Sequence, residues 1–377
     1  MTRPIRILLI APSTRFVGGQ AVQAKQLIDH LAGDPAVDVT FLPMDPRWPA
    51  PFAFLHSVKL VRTLVMVASF VTLLLFKGAK YDVYHVFAAA YYSFMWAPAP
   101  TLLIAKLFRK PCVLNYHDGR AEGHLREWRS AVPLVSLADE IVTPSAHLCD
   151  VFKKHGLRAA HIPNIVSNDR LIYRPRRCLK PVFLHNRGME DLYNVPCILR
   201  AFQRVQRIYP NAEMLVAHDG PLRRRLEQQC VEMGLRNVKF VGNVPQEKIG
   251  ELYDAADIYW MAPNIDCMPL SILEAFAAGL PLIATNVGGI PYIVEHGRTG
   301  LLSAPDDDES IANNALLLLA DSSLADRLAK NARAELAKYD WGVIGPQWLD
   351  LYRRLAGAEV GDLPAPDVSL EAPRIGD

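Results

Sequence analysis

The sequence predicts an α/β protein of two doubly wound, mostly parallel-sheet domains. Three observations carry this expectation. Short continuous apolar runs alternate with segments of helical period, the pattern of strands covered on both faces. The alternation comes in two consecutive series, separated by a basic, Pro-containing stretch, RLIYRPRRCLKP, at 170–181. A chain of 377 residues is also too long for one ordinary core and suits two.

The first series opens with IRILLIA at 5–11 and continues into AVQAKQLIDHLA at 21–32, where Ala21, Ala24, Leu27, Ile28 and Leu31 share one helical face. Strands are expected at 37–43, 81–87, 111–117, 140–145 and 159–164, with helices near 98–108 and 145–155. The second series places strands at 182–186, 212–218, 238–242, 257–263 and 281–285. Its helices fall near 194–208, 221–234, 246–254, 271–278, 288–295 and 308–320. The predicted domains are therefore 1–170 and 171–340. A helix at 341–358 is expected to pack back on the first domain, ahead of a Pro- and Asp-rich disordered tail, 359–377. Ligands of such folds sit beyond the carboxyl ends of the strands, here in the cleft between domains.

Composition excludes several classes. The apolar share of 51% and charged share of 21% are globular values. Six scattered cysteines form no CxxC pair and no metal-ligand spacing, so they read as thiols in a reducing compartment. The first apolar run is too short for a signal segment and enters a Gly-Gly turn, which points to a cytoplasmic protein. Net charge is only +2, but residues 1–170 hold 19 of the 41 basic residues and 12 of the 39 acidic ones. This basic half implies an anionic partner. With no basic, aromatic-interleaved motif, nucleic acid is not expected, and an anionic membrane surface is. The run LVMVASFVTLLLF at 64–76 fits that surface. It reads as a buried core helix, as a helix lying in the membrane interface between Lys59, Arg62, Lys77 and Lys80, or, least readily, as a span.

The candidate site centres on NIDCMPLSILEAFAAGLP at 264–281. Glu274 sits in an apolar helix, where a carboxylate can accept two hydrogen bonds from adjacent hydroxyls. Asp266 precedes that helix in a loop, and Met268, Pro269 and Leu270 lie at its start, where backbone N–H groups favour phosphate. Surface Glu and tight-turn Gly readings compete with these assignments.

Asp266, seven residues, then Glu274, followed by AFAAGLPLIATNVGGIPYIVEHGRTGLL, resembles the donor-site signature of retaining family 4 glycosyltransferases with the GT-B fold. Gly18-Gly19, ADEIVTPS (138–145), HIPN (161–164), HDGPLRRRLE (218–227), VKFVGNV (238–244) and LYDAADIYWMAP (252–263) agree with it. The resemblance covers residues 3 to 355 and implies two Rossmann-like domains around a cleft and sugar transfer from a nucleotide-sugar without a metal or other cofactor. It implies that Glu274 binds the ribose, that Asp266 stands where a Glu contacts the donor sugar, and that Met268, Pro269 and Leu270 meet sugar and phosphate. Gly18 and Gly19 resemble the loop that approaches the diphosphate, His117 the active-site histidine near the sugar, and Arg187 a diphosphate cation. Where many relatives carry Lys-Gly, this chain has Tyr193-Asn194, so one leaving-group cation is missing. Arg223, Arg224 and Arg225 are a possible replacement, though a solvated helix face is the commoner use of such a run.

The expectation is thus a retaining hexosyltransferase-type enzyme, cytoplasmic and peripheral to the inner membrane face. It would glycosylate a lipid-linked or polysaccharide acceptor in envelope or exopolysaccharide synthesis. Its acceptor choice is assigned to loops such as 44–57 and 119–131. The alternatives are a catalytically weak GT-B scaffold subunit, a sugar-nucleotide epimerase, and a nicotinamide dehydrogenase. The last would need a GxGxxG spacing that FVGGQAVQ lacks.

Overall fold

The computed structural model describes residues 3–13, 15, 18–46, 59–166 and 170–357. The 359–377 tail and most of the 44–57 loop lie outside them. Two six-stranded sheets, every pairing parallel, make up the frame. The first contains β1 (Ile5–Ala11), β2 (Val37–Pro43), β3 (Val83–Ala88), β4 (Cys112–Tyr116), β5 (Glu140–Thr143) and β6 (Ala160–His161), in the order β2-β1-β3-β4-β5-β6. Around it run α1 (Gly19–Leu31), α2 (Lys59–Gly78), α3 (Tyr92–Trp96), α4 (Pro98–Leu107), α5 (Ala121–Glu127), α6 (Ala131–Val135) and α7 (Ala146–Lys154).

The second sheet contains β7 (Val182–Asn186), β8 (Glu213–Ala217), β9 (Val238–Gly242), β10 (Ile258–Trp260), β11 (Leu282–Thr285) and β12 (Leu301–Ser303). Their order is β12-β11-β10-β7-β8-β9. Its helices are α8 (Val195–Ile208), α9 (Arg223–Glu232), α10 (Ile249–Asp254), α11 (Leu270–Ala278), α12 (Asp308–Ala320) and α13 (Ser322–Glu335), followed by α14 (Trp341–Leu355). Strand order reverses beside β1 in one sheet and beside β7 in the other. In open parallel sheets such reversals splay the neighbouring loops and open a crevice. The turn after β1 carries Gly18-Gly19, and the turns after β7 and β10 carry Arg187 and Asp266.

Burial follows the strand runs. The side chains of β3 and β4 are buried throughout, which is why those segments lack polar alternation. On one face of the first sheet Leu8, Ile10, Tyr84, Val86, Leu114 and Tyr116 pack against Phe70 and Leu74 of α2. On the other, Ile7, Leu9, Val83, Phe87 and Val113 pack against Leu27 of α1 and Ile344, Trp348, Leu351 and Tyr352 of α14. Helix α14 therefore crosses from the second sheet to the first, and Trp341 at its start stacks on His30 of α1 with ring centroids 4.7 Å apart.

Two of the expected segments take a different form. The helix expected at 288–295 is a single turn of 3₁₀ helix, Ile290–Tyr292, because Gly288-Gly289 is used for a tight backbone approach instead. The 64–76 run is the middle of the 20-residue α2, half core and half surface. Phe70 and Leu74 are buried, whereas Leu64, Leu75 and Phe76 are exposed, Phe76 by 81%. Among the described residues no helix is long and apolar enough to cross a membrane.

Helix α11 is the element the site depends on, and its end is firmly held. Gly279 adopts φ 74°, a left-handed cap that glycine takes without strain. Its N–H bonds Phe276 O at 3.1 Å, and Leu280 N–H bonds Ala275 O at 2.9 Å. The remaining carbonyl of Ala278 accepts from Arg176, whose buried guanidinium also reaches the carbonyls of Ala256 and Tyr253, each at 3.0 Å. Burial lowers its pKa to about 10, yet four carbonyl dipoles, that of Arg174 included, and nearby Asp257 keep the charge satisfied. Arg176→Ala is expected to cost about 3 kcal/mol or more, because the carbonyl of Tyr253 loses its guanidinium donor, those of Ala278 and Ala256 keep only Arg174, and Asp257 loses a buried cation. Denaturant unfolding of the variant checks this, and a loss below about 1 kcal/mol would contradict it.

Candidate functional site

The carboxyl ends of the two sheets meet at the loop 264–270. A Cβ added to Gly119, in the turn after β4, would lie 3.3 Å from the Asp266 backbone carbon. One placed on Gly19 would lie 4.0 Å from Leu270 Cδ1. Asn164, the last residue of the HIPN motif, donates from Nδ2 to Met268 O at 3.2 Å. Beneath the loop, Gly288 and Gly289 press their backbones against it. A Cβ on either would approach the carbonyl of Asp266 or Cys267 to 2.0 or 1.7 Å, and Gly289 N–H donates to Asp266 O at 2.9 Å. The two glycines thus belong to the site through their missing side chains.

Asp266 is buried and ion-paired with Arg187. Burial pushes its carboxyl up, opposed by the guanidinium and by the N–H groups of Cys267 and Met268. Burial likewise opposes the Arg187 charge, but Asp266 holds the guanidinium above its ordinary value. Tyr193 lies over Arg187, the guanidinium carbon 4.4 Å from its ring centroid, and Arg187 Nε is buried without a partner. In place of a second cation the chain thus supplies an aromatic face. Asn194 takes a left-handed conformation, φ 44° and ψ 47°, which Asn tolerates better than most residues. Its Oδ1 caps α8 at Cys197 N–H, and its amide reaches Asp306 Oδ1 at 3.0 Å. Arg223 is spent on Glu227 at 2.8 Å along its own helix.

Two helix amino-termini come close together here, Gly19 beside Leu270. Helix α1 begins at Gly19 with Gly18 as its cap, without an acidic residue in the first turn and without a capping side chain. Helix α11 begins at Leu270 after Pro269, again with neither. Such ends leave N–H groups free and favour negative charge. Beside them, along the flank of α1, lies a cavity of about 510 Å³, lined by Ala21, Val22 and Lys25 of α1, by Val244, Gln246, Glu247 and Ile249, and by Leu270 and Glu274. Among the described residues three carboxylates line it, the exposed Asp29 and Glu247 and the half-buried Glu274. Burial raises the pKa of Glu274, while the Tyr253 phenol donates to Oε2 at 2.7 Å and pulls it back. Tyr253 is held in turn by Asn186 Nδ2 at 3.0 Å.

His117 follows β4 directly, at the same cleft. Gln20 at the start of α1 donates to its backbone carbonyl at 3.0 Å, and its Nε2 lies 2.7 Å from Asn115 Oδ1. Burial pushes its pKa down to about 3, so the ring is neutral at working pH. Among the described residues no group of three His, Cys, Asp or Glu side chains could hold a metal ion.

The structure thus brings Gly19, His117, Arg187, Asp266, Met268, Leu270 and Glu274 to one cleft. Pro269 acts as the α11 cap, and Met268 contributes through its backbone. The sequence reading did not assign Gln20, Asn115, Tyr253 or Asn186. Asn115 had a visible signal, since it stands two positions before His117 on a strand and must share its face.

Residues 180–335 match the family described as Glycosyl transferases group 1. The second sheet and its helices are a glycosyl transferases group 1 domain. An uncharacterized glycosyltransferase of Methanocaldococcus jannaschii is 29% identical over 158 residues, 41% of this chain and 40% of the relative. An exopolysaccharide phosphotransferase of Streptomyces coelicolor is 28% identical over 333 residues, 86% of this chain and 32% of the relative. The chain thus matches well under half the length of these curated relatives. Anabaena HepE, solved with UDP and glucose, superposes with a TM-score of 0.72 at 19% identity, covering 93% of this chain and all of HepE. The glycosyl transferases group 1 domain and the sheet that faces it together adopt the GT-B fold.

Four buried imidazoles set an acid limit on stability. Burial lowers His85, His117 and His185 to about 3 and His124 to about 4. In the unfolded chain they take up protons near pH 6.5. Below that pH the unfolded state binds more protons, so stability falls as pH drops. Between pH 6.5 and 5 the unfolding free energy is expected to fall by on the order of 1 kcal/mol per pH unit for each histidine. Denaturant unfolding at several pH values reads this, and a flat profile would contradict it.

Proposed function

We propose that the protein is a retaining glycosyltransferase that moves a sugar from a nucleotide-sugar to a lipid-linked or polysaccharide acceptor. The observation that carries this reading is the pair of neighbouring helix amino-termini beside a cavity whose wall bears Glu274. Two free helix ends suit a diphosphate, and a carboxylate at the cavity wall suits vicinal ribose hydroxyls. That HepE was solved with UDP and glucose supports the donor class, and the name of the Streptomyces relative supports the polysaccharide side.

Breaking the bond between the anomeric carbon and phosphate leaves positive charge on the sugar and negative charge on the departing diphosphate. The amides of α1 and α11 and the Arg187 guanidinium stabilise the second of these. Neutral His117 cannot supply a positive charge and instead accepts a hydrogen bond from a sugar hydroxyl. Asp266 orients Arg187 and lies close to the transferred sugar. The acceptor hydroxyl attacks from the face the diphosphate leaves, and its proton passes to the departing phosphate oxygen. Configuration is then retained without a covalent enzyme intermediate or a metal.

The donor test is release of nucleoside diphosphate from UDP-, GDP- and ADP-sugars, with membrane extract as acceptor. One donor is expected to turn over. Glu274→Ala should weaken its binding tenfold or more, and Arg187→Ala should lower kcat by about 10²-fold. The neutralised Arg187 and the aromatic Tyr193 favour a second reading, a donor-binding scaffold with little turnover. Binding lost in Glu274→Ala, with no release from any donor, would select it.

Association with an anionic membrane face rests on the exposed Leu64, Leu75 and Phe76 of α2, beside exposed Leu103 and Leu107 of α4, and on the basic first half. Wild-type protein is expected to sediment with anionic vesicles at low salt, and Phe76→Glu to shift it to the supernatant. Wild-type protein remaining in solution would remove the membrane from the proposal.

A further inference from the structure

Three polar side chains lie in a row inside the apolar layer between the first sheet and α14. Strand alternation puts them there. In β4 and just beyond it, Val113, Asn115 and His117 share a face, and in β3 Val83, His85 and Phe87 share the same one. His85 stacks on Trp348 of α14 with centroids 4.8 Å apart, and Phe87 lies 5.1 Å from the His117 ring. Polar groups in such a layer are costly unless each finds a partner.

These do, in one chain. His117 Nε2 lies 2.7 Å from Asn115 Oδ1, Asn115 Nδ2 lies 3.1 Å from His85 Nε2, and His85 Nδ1 lies 2.7 Å from the Tyr352 hydroxyl. The chemistry of Asn115 gives the chain a direction. Its carbonyl oxygen only accepts, so His117 carries its proton on Nε2. Its amide nitrogen only donates, so His85 Nε2 is bare and the proton of His85 sits on Nδ1, aimed at Tyr352. Every link is then satisfied, and His117 is left with a bare Nδ1 as its acceptor atom. The chain closes only when the His85 ring is neutral, since its Nε2 must accept, and burial favours the neutral form of both rings.

We propose that Tyr352 is a positioning residue for His117, fixing the tautomer and orientation of that imidazole through His85 and Asn115. The seat of α14 on the first sheet is thereby tied to the cleft. The catalytic consequence rests on the reading of His117 as a contact to the donor sugar, whereas the tautomer does not.

The test uses full-length protein labelled with ¹⁵N-histidine, with two-bond ¹H–¹⁵N correlations reading each ring. Wild-type protein is expected to show His117 as a single Nε2–H tautomer and His85 as a single Nδ1–H tautomer. A mixture at His117 in the wild type overturns the proposal without any variant. Tyr352→Phe keeps the ring and removes the acceptor of His85 Nδ1–H. Both histidines are expected to begin exchanging between tautomers, with kcat falling on the order of tenfold, as for outer partners of other oriented histidines, and donor KM unchanged. An unaltered His117 spectrum in the folded variant overturns the proposal. A changed spectrum with unchanged kcat keeps the positioning role and removes the sugar contact of His117. Failure of the wild type to turn over any donor would sink the transferase reading alone, since the tautomers are read without substrate.

Discussion

The close approach of backbone to backbone at Asp266–Cys267 is the constraint on which the rest of the site depends. Gly288 and Gly289 press on this segment from the second sheet, and Gly119 approaches it from the first. No side chain fits at Gly288 or Gly289, and one at Gly119 would be tight, so the position of the loop is set by main-chain atoms, which move less than rotamers do. From that fixed segment, Asp266 orients Arg187, and Met268 and Pro269 deliver α11 with its free amide end toward the cleft. Clamping of the far end of α11 by Gly279 and Arg176 makes the helix a rigid rod between two anchored points. The placement of Glu274 on the cavity wall follows from that rod.

The electrostatics are unusual for a site read as taking a diphosphate. Its buried cation is shared with a carboxylate and shielded by an aromatic ring, so little net positive side-chain charge faces the cleft. Much of the attraction for an anion then falls to oriented amide dipoles at α1 and α11. Such dipoles are fixed in the fold and need no reorganisation when charge develops. They are also less easily lost than a mobile lysine. Asn194 helps make this arrangement possible, since it holds the left-handed turn before α8 and caps that helix, leaving Tyr193 free to lie on Arg187.

Much of this was legible in the sequence, for a physical reason. Strands buried on both faces read as unbroken apolar runs, and nearly all of the expected strands lie within two or three residues of the observed ones. The short edge strand β12, only three residues long, has no such run and went unseen. The 288–295 segment has helical spacing, yet its two glycines serve a neighbour rather than their own helix, and no local pattern records that. At the site, Asp266, Glu274, Gly19 and Arg187 were visible as charges or glycines in suggestive places. Their pairing was not, because a residue's commitment to a partner 79 positions away, as between Arg187 and Asp266, leaves no mark on either neighbourhood. The ordered row from Tyr352 to His117 was hidden for the same reason: it draws on three distant parts of the chain.

The path of α14 bears on the order in which the molecule is made. A chain emerging from the ribosome completes the first sheet by residue 161, with the second sheet and α13 still to come. Until Trp341–Leu355 emerges, one face of that sheet has α1 but lacks Trp348, Leu351 and Tyr352. Nascent β3 and β4 then present His85 and Asn115 to water among uncovered valines and phenylalanine. The first half of the protein therefore waits, unfinished and adhesive, for the last described helix. The half begun first is closed only when α14 appears.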